Sequence, residues 1–196
     1  MRKSIAAFGA LAALALSSCI NSTPVADGAR FFVPVAPEKS LERLANAPRT
    51  GIRAVELPDY LRGPKIALRR NGAEIVYSDF NLWGERLESA ATRLITERLS
   101  ARLGAENVDR YPWAGSACPV QVTVQFDRFE GDVDGSVHVS GRVVIEAQDV
   151  EGYPRTLAFK HDGTWDGTDW ASLARSLGEA IDKVCEDIAK ALPEAE

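Results

Sequence analysis

Two stretches of strict alternation constrain the fold of this chain most. Over residues 119–129, Val120, Val122, Val124 and Phe126 alternate with Gln121, Thr123, Gln125 and Asp127. Over residues 136–148 the same period returns through Val137, Val139, Val143 and Ile145. A period of two sends every second side chain to one face of a strand, so each run has one face for a core and one for water. Residues 154–161 extend the pattern through Leu157 and Phe159, with turn-like connections at 130–135 and 151–152. Three such strands in succession predict an antiparallel meander. Its apolar face needs a cover. Trp170, Leu173, Leu177, Ile181, Val184, Ile188 and Leu192 recur at three- and four-residue steps, predicting a helix over about 169–192 that Pro193 ends.

The same reading extends upstream. Residues 29–35 read as a first strand with Phe31, Val33 and Val35 on one face, and Pro34 and Pro37 suit an edge. Residues 40–50 are ambiguous, with one helical turn conceivable around Leu41 and Leu44, and 51–57 form a second strand candidate. Residues 65–70 and 73–77 flank Asn71-Gly72, a strong hairpin signal because both turn residues tolerate positive φ. A long helix is predicted over 82–103, with Trp83, Leu87, Ala91, Leu94 and Leu99 on its stripe, Arg98 beside it and Gly104 closing it. The expected class is α/β: a mixed sheet of about six to seven strands with an antiparallel meander and two long packed helices. A right-handed crossover is expected through the first helix.

The start of the chain carries a different message. Arg2 and Lys3 precede an apolar run over 5–16 and then Leu16-Ser17-Ser18-Cys19. Basic start, short apolar core and small residues are the order of a secretion signal. The run is too short to span about 30 Å of hydrocarbon. Residues 1–18 are expected to be a lipoprotein signal peptide, Cys19 the lipidated residue, 19–28 a polar tether, and 29–196 a single domain. Loss of Arg2 and Lys3 takes the formal charge from −5 to −7. An acidic chain lacks the basic footprint of a nucleic-acid binder, and it has no electrostatic attraction to anionic headgroups. Acyl chains, at about 0.8 kcal/mol per buried CH₂, would hold it to a membrane.

Cys118 and Cys185 remain after lipidation. An oxidising compartment allows them to pair, and burial as two free thiols is equally consistent with the sequence. No catalytic, cofactor or metal constellation is expected. His138 and His161 sit at ordinary pleat positions, no Gly-x-Ser-x-Gly elbow exists, and Ser140 lacks the flanks of one. Asp132-Val133-Asp134-Gly135 opens like a calcium loop but lacks its closing glutamate. The Asp162-Gly163-Thr164 and Asp166-Gly167-Thr168 pair suits turns and a helix cap. Walker-type phosphate loops are absent from the sequence. Tyr60, Trp83, Trp113, Trp165 and Trp170 fall at segment boundaries, where packing and partner binding both use aromatics.

Two runs carry a further resemblance: Leu57-Pro58-Asp59-Tyr60-Leu61-Arg62-Gly63-Pro64-Lys65-Ile66 and Tyr77-Ser78-Asp79-Phe80-Asn81-Leu82-Trp83-Gly84-Glu85-Arg86-Leu87. With the lipobox, they resemble the ABC-type transport auxiliary lipoprotein (PqiC-like) family. The resemblance implies a non-catalytic accessory of a lipid-trafficking system, anchored at the periplasmic face of the outer membrane. It also implies an MCE-domain partner, an ABC or related permease, and a contribution to membrane integrity. An inner-membrane site is the lesser expectation, because Ile20 rather than Asp follows Cys19. Pro58 and Pro64 remove two backbone donors and bias their predecessors to extended geometry. Tyr60, Leu61 and Trp83 are therefore candidates for a partner-facing or self-associating surface, the alternative being a staple of hairpin to helix. Two other functions stay open: a periplasmic lipid-binding carrier, and a structural envelope lipoprotein without a transporter.

Overall fold

The computed structural model describes residues 28–114 and 117–194. The signal segment, Cys19 and all but the last residue of the expected tether lie outside them. In chain order the elements are β1 (Arg30–Phe32), β2 (Thr50–Ile52), β3 (Lys65–Arg70), β4 (Glu74–Trp83), α1 (Leu87–Leu103), β5 (Val108–Arg110), β6 (Val120–Asp132), β7 (Ser136–Ala147), β8 (Arg155–Thr164) and α2 (Trp170–Ala191).

The longest strand, β6, organises the sheet. One edge pairs antiparallel with β7, from Val120↔Ala147 to Gly131↔Val137, and β7 pairs antiparallel with β8. The other edge is divided. Its start pairs parallel with β2, its end pairs parallel with β3, and a parallel bridge from Glu56 to Gln125 lies between. β5 extends the sheet beyond β2, while β4 and β1 extend it beyond β3. The eight strands therefore form one mixed α/β sheet containing the expected meander. The hairpin between β3 and β4 turns at Asn71 (φ 50°) and Gly72 (φ 74°), both left-handed as that turn requires.

The two helices pack on each other, and α2 also contacts β6, β7 and β8. Leu173, Leu177, Ile181 and Ile188 of α2 are fully buried with Val122, Val139 and Ile145 of the meander in one core. Each such side chain contributes about 1.5–3 kcal/mol on leaving water. Asp169 caps α2 by accepting from Ala171 N at 3.0 Å. At Gly178 the segment before β2 comes so close that a Cβ would lie 1.9 Å from Val35 O.

Several expectations need correction. The helix expected over 82–103 begins at Leu87, because Leu82 and Trp83 continue β4 and pair with Phe31 and Phe32 of β1. Within the first strand the expected apolar face is outside. Phe31, Val33 and Val35 are exposed, and Phe32 packs on the core instead. The second strand shrinks to three residues, and β5 is an eighth strand too short for a periodic signal. No helical turn forms at 40–45. Glu130 belongs to β6 rather than to the turn.

Candidate functional site

The Leu-Pro segment is tied down from both ends. Leu57 and Leu61 are buried, and a single 3-10 turn over Asp59–Leu61 lifts Tyr60 toward the sheet. There the Tyr60 hydroxyl donates to Glu130 Oε2 at 2.7 Å. Glu130 also accepts from Arg69 Nε at 2.8 Å, Arg128 Nε at 2.9 Å and Phe129 N at 3.1 Å. Its side chain is wholly excluded from solvent. Burial alone would push the Glu130 carboxyl up, but the donated hydrogen bonds and the Arg69 charge hold it below the ordinary carboxylate range. Burial and the same carboxylate push the Tyr60 phenol up. Arg69 closes the network by donating to the Tyr60 oxygen at 3.2 Å and covering its ring at 5.6 Å.

Of the two readings open for Tyr60, Leu61 and Trp83, this geometry favours the staple. Leu61 and Trp83 are 3% and 6% exposed, and Tyr60 is committed to Glu130. Trp83 N also donates to Pro64 O at 2.7 Å, joining the segment to β4. Leu61 and Trp83 are buried and Tyr60 is half-buried, and together they staple the hairpin to the core. Sequence reasoning missed Glu130, the hub of the network. A register shift between Phe126 and Arg128 breaks the alternation just before it, so counting by twos cannot reach it.

The exposed apolar surface lies beside this staple. Phe31 pairs with Leu82 in the parallel β1–β4 register, so Phe31, Val33 and Leu82 share the face opposite Phe32 and Trp83, and Phe80 stands close by in the bulged stretch of β4 between its β3 pairings at Tyr77 and Leu82. Phe31 is 65% exposed, Phe80 56% and Val33 38%. Gly84 lies against these residues: a Cβ there would make ordinary contact, 3.4 Å from Val33 Cγ1 and 3.8 Å from Phe31 Cβ. Among the described strands β1 pairs only with β4, leaving its other edge open. Phe31 and Phe80 thus leave aromatic rings in solvent near an open strand edge.

Cys118 and Cys185 are buried free thiols. Cys118 Sγ donates to Asp109 Oδ2 at 3.4 Å, an oxygen also held by Arg49 Nε at 2.8 Å. Cys185 Sγ faces Ile95 O at 3.9 Å across the helix pair. Burial pushes both thiols up. Of the two alternatives open from sequence, the structure holds separate thiols.

A Ser-His-Asp chain also appears that sequence spacing did not single out. Ser136 Oγ lies 3.0 Å from His138 Nε2, and His138 Nδ1 lies 2.8 Å from Asp162 Oδ1. Strand parity and the His138↔Asp162 register bring these residues together. Ser136 Oγ, however, donates to Asp134 Oδ1 at 2.6 Å. That leaves the oxygen only an acceptor toward His138, the reverse of what a general base needs. Hydrogen bonds from the Ser136 side chain and backbone hold Asp134 below the ordinary carboxylate range, so an anion occupies the Ser136 hydroxyl proton. The second Asp-Gly-Thr run supplies turn and cap contacts, with Thr168 Oγ1 donating to Asp166. Among the described residues no group of three His, Cys, Asp or Glu is placed to hold a metal ion. No described helix is long and apolar enough to cross a membrane.

Comparison with known proteins fits this frame. No curated protein matches the chain at a significant level. A crystal structure described as an uncharacterized protein is similar, with a TM-score of 0.65 at 22% identity, covering 76% of this chain and 94% of that one. Protein XCC0632 from Xanthomonas campestris, a DUF330 protein, aligns with a TM-score of 0.64 at 15% identity, covering 84% of this chain and 95% of its own. At such identities the likeness is one of fold. The sequence model for the ABC-type transport auxiliary lipoprotein component matches residues 33–189, and the chain belongs to that family.

Proposed function

We propose that this protein is a periplasmic accessory lipoprotein of an MCE/ABC-type lipid transport system, docking or stabilising the transporter and supporting membrane integrity. Cys19 is its lipidation site, the periplasmic face of the outer membrane its location, and 29–196 a single non-enzymatic domain. Its partners are an MCE-domain protein and an ABC or related permease, with self-association as a further mode.

The observation that carries this reading is the exposure of Phe31, Val33 and Phe80 near an open strand edge on a member of a transport auxiliary family. From Cys19 to Arg30 the chain can extend at most about 40 Å. An acylated Cys19 therefore keeps this face close to the membrane where a transporter partner stands. The misdirected Ser136 favours binding over catalysis.

Affinity purification of the tagged full chain from its native membranes tests the reading. The expected result is recovery of an MCE-domain protein and a permease, lost in a Phe31→Ser/Phe80→Ser variant that melts at the wild-type temperature. Recovery of neither partner with the wild-type chain contradicts it.

A further inference from the structure

At the far ends of the helices the chain carries a second feature, independent of the docking face. Asp182 of α2 is almost wholly buried and receives three cations: Lys39 Nζ at 2.6 Å, Arg98 Nε at 2.7 Å and Arg102 Nη2 at 3.0 Å. Glu186 accepts from Arg102 at 3.3 Å. Three cations thus face two carboxylates. The shortage of acceptors is visible atom by atom, because Arg98 Nη2 and Arg102 Nε are buried without a hydrogen-bond partner. Among the described residues, Arg102 donates through Nη2 alone. Uncompensated guanidinium donors are costly, and native proteins seldom leave them so without an ordered water, a ligand or an ion.

Arg102 lines a groove of about 600 Å³ between the 39–45 segment and the C-terminal turns of both helices. That volume lies within the range of small-molecule sites. Lys39, Arg43, Arg102 and Lys190 line it with Glu42 and Glu186; with Arg98, Asp182 and Glu106, which pair with these groups, five cations face four carboxylates, on a chain of formal charge −5. Leu41 and Leu44 give the same groove an apolar wall. Cationic donors beside leucine side chains match a phosphate group attached to an apolar body.

We propose that this groove binds a phosphate-bearing anion, with Arg102 as its central donor and Lys39 and Lys190 at its rim. The phosphate belongs either to a phospholipid headgroup or to a free phosphate species. The two differ in whether Leu41 and Leu44 contribute.

Calorimetric titration of the full chain in dodecyl maltoside, with inorganic phosphate and with dihexanoylphosphatidylglycerol, tests the site. Lys190 is exposed, so Lys190→Glu reverses a rim charge without touching the core. Arg102→Lys retains a charge for Asp182 while removing the guanidinium donors. Both variants are expected to weaken binding at least about fivefold. Phospholipid binding about tenfold tighter than phosphate identifies the headgroup as the ligand, and equal affinities identify free phosphate. Absence of binding by both probes, or binding unchanged in Lys190→Glu, overturns the proposal.

Discussion

Replacing Glu130 with alanine removes the shared acceptor of Tyr60, Arg69 and Arg128. Breaking a buried charged network from one side costs about 3–5 kcal/mol. Arg69 and Arg128 keep some solvent contact and can rehydrate, so about 3 kcal/mol is expected in urea unfolding of Glu130→Ala. The carboxylate also predicts a pH response. Glu130 and Asp182 are both held below their ordinary range when folded. A depressed folded pKa contributes stability that is full above the unfolded pKa and is lost as pH falls through the folded value. Urea midpoints should therefore be level from about pH 6 to 5 and fall below about pH 4, with a smaller fall in Glu130→Ala. The thiols give a separate test. Denatured, unreduced protein should take up one alkyl group at Cys118 and one at Cys185, whereas a disulfide would block both.

At the scale of elements, legibility followed periodicity. The meander strands and α2 repeat an apolar pattern long enough to find their bounds within a few residues, and Asp169 caps α2 where the Asp-Gly-Thr run suggested. Asp169→Ala should cost about 1 kcal/mol, read as a lower melting temperature. Gly178→Ala should cost more, about 1–3 kcal/mol, because the new Cβ must displace Val35 O. Elements set by tertiary contact escaped the pattern. β1, β2 and β5 are three residues each, held by neighbours rather than by alternation. Trp83 fits a helical stripe by spacing but is held in β4 by its pairing with Phe32. Arg102 lies within the α1 core face despite its charge, paired there with Asp182 on the facing helix. The Glu130 hub and the Asp182 cluster each join residues more than sixty positions apart, a relation no local spacing reveals.

At the scale of the molecule, the two ends of the sheet take different roles. One end carries the Leu-Pro staple and, beside it, the open aromatic face of β1 and β4. The other functional feature, the basic groove, opens where α1 and α2 end. A docking face and a ligand groove on one rigid core would let an anchored accessory hold its transporter without chemistry of its own. The most direct measurement of that central claim is site-specific photocrosslinking of the full chain in its native membranes, with the crosslinker at Phe80 and, as a control, at exposed Glu179 on α2. The account predicts a Phe80 adduct containing an MCE-domain or permease subunit and none at Glu179. No transporter adduct at Phe80, or equal adducts at both positions, would contradict it.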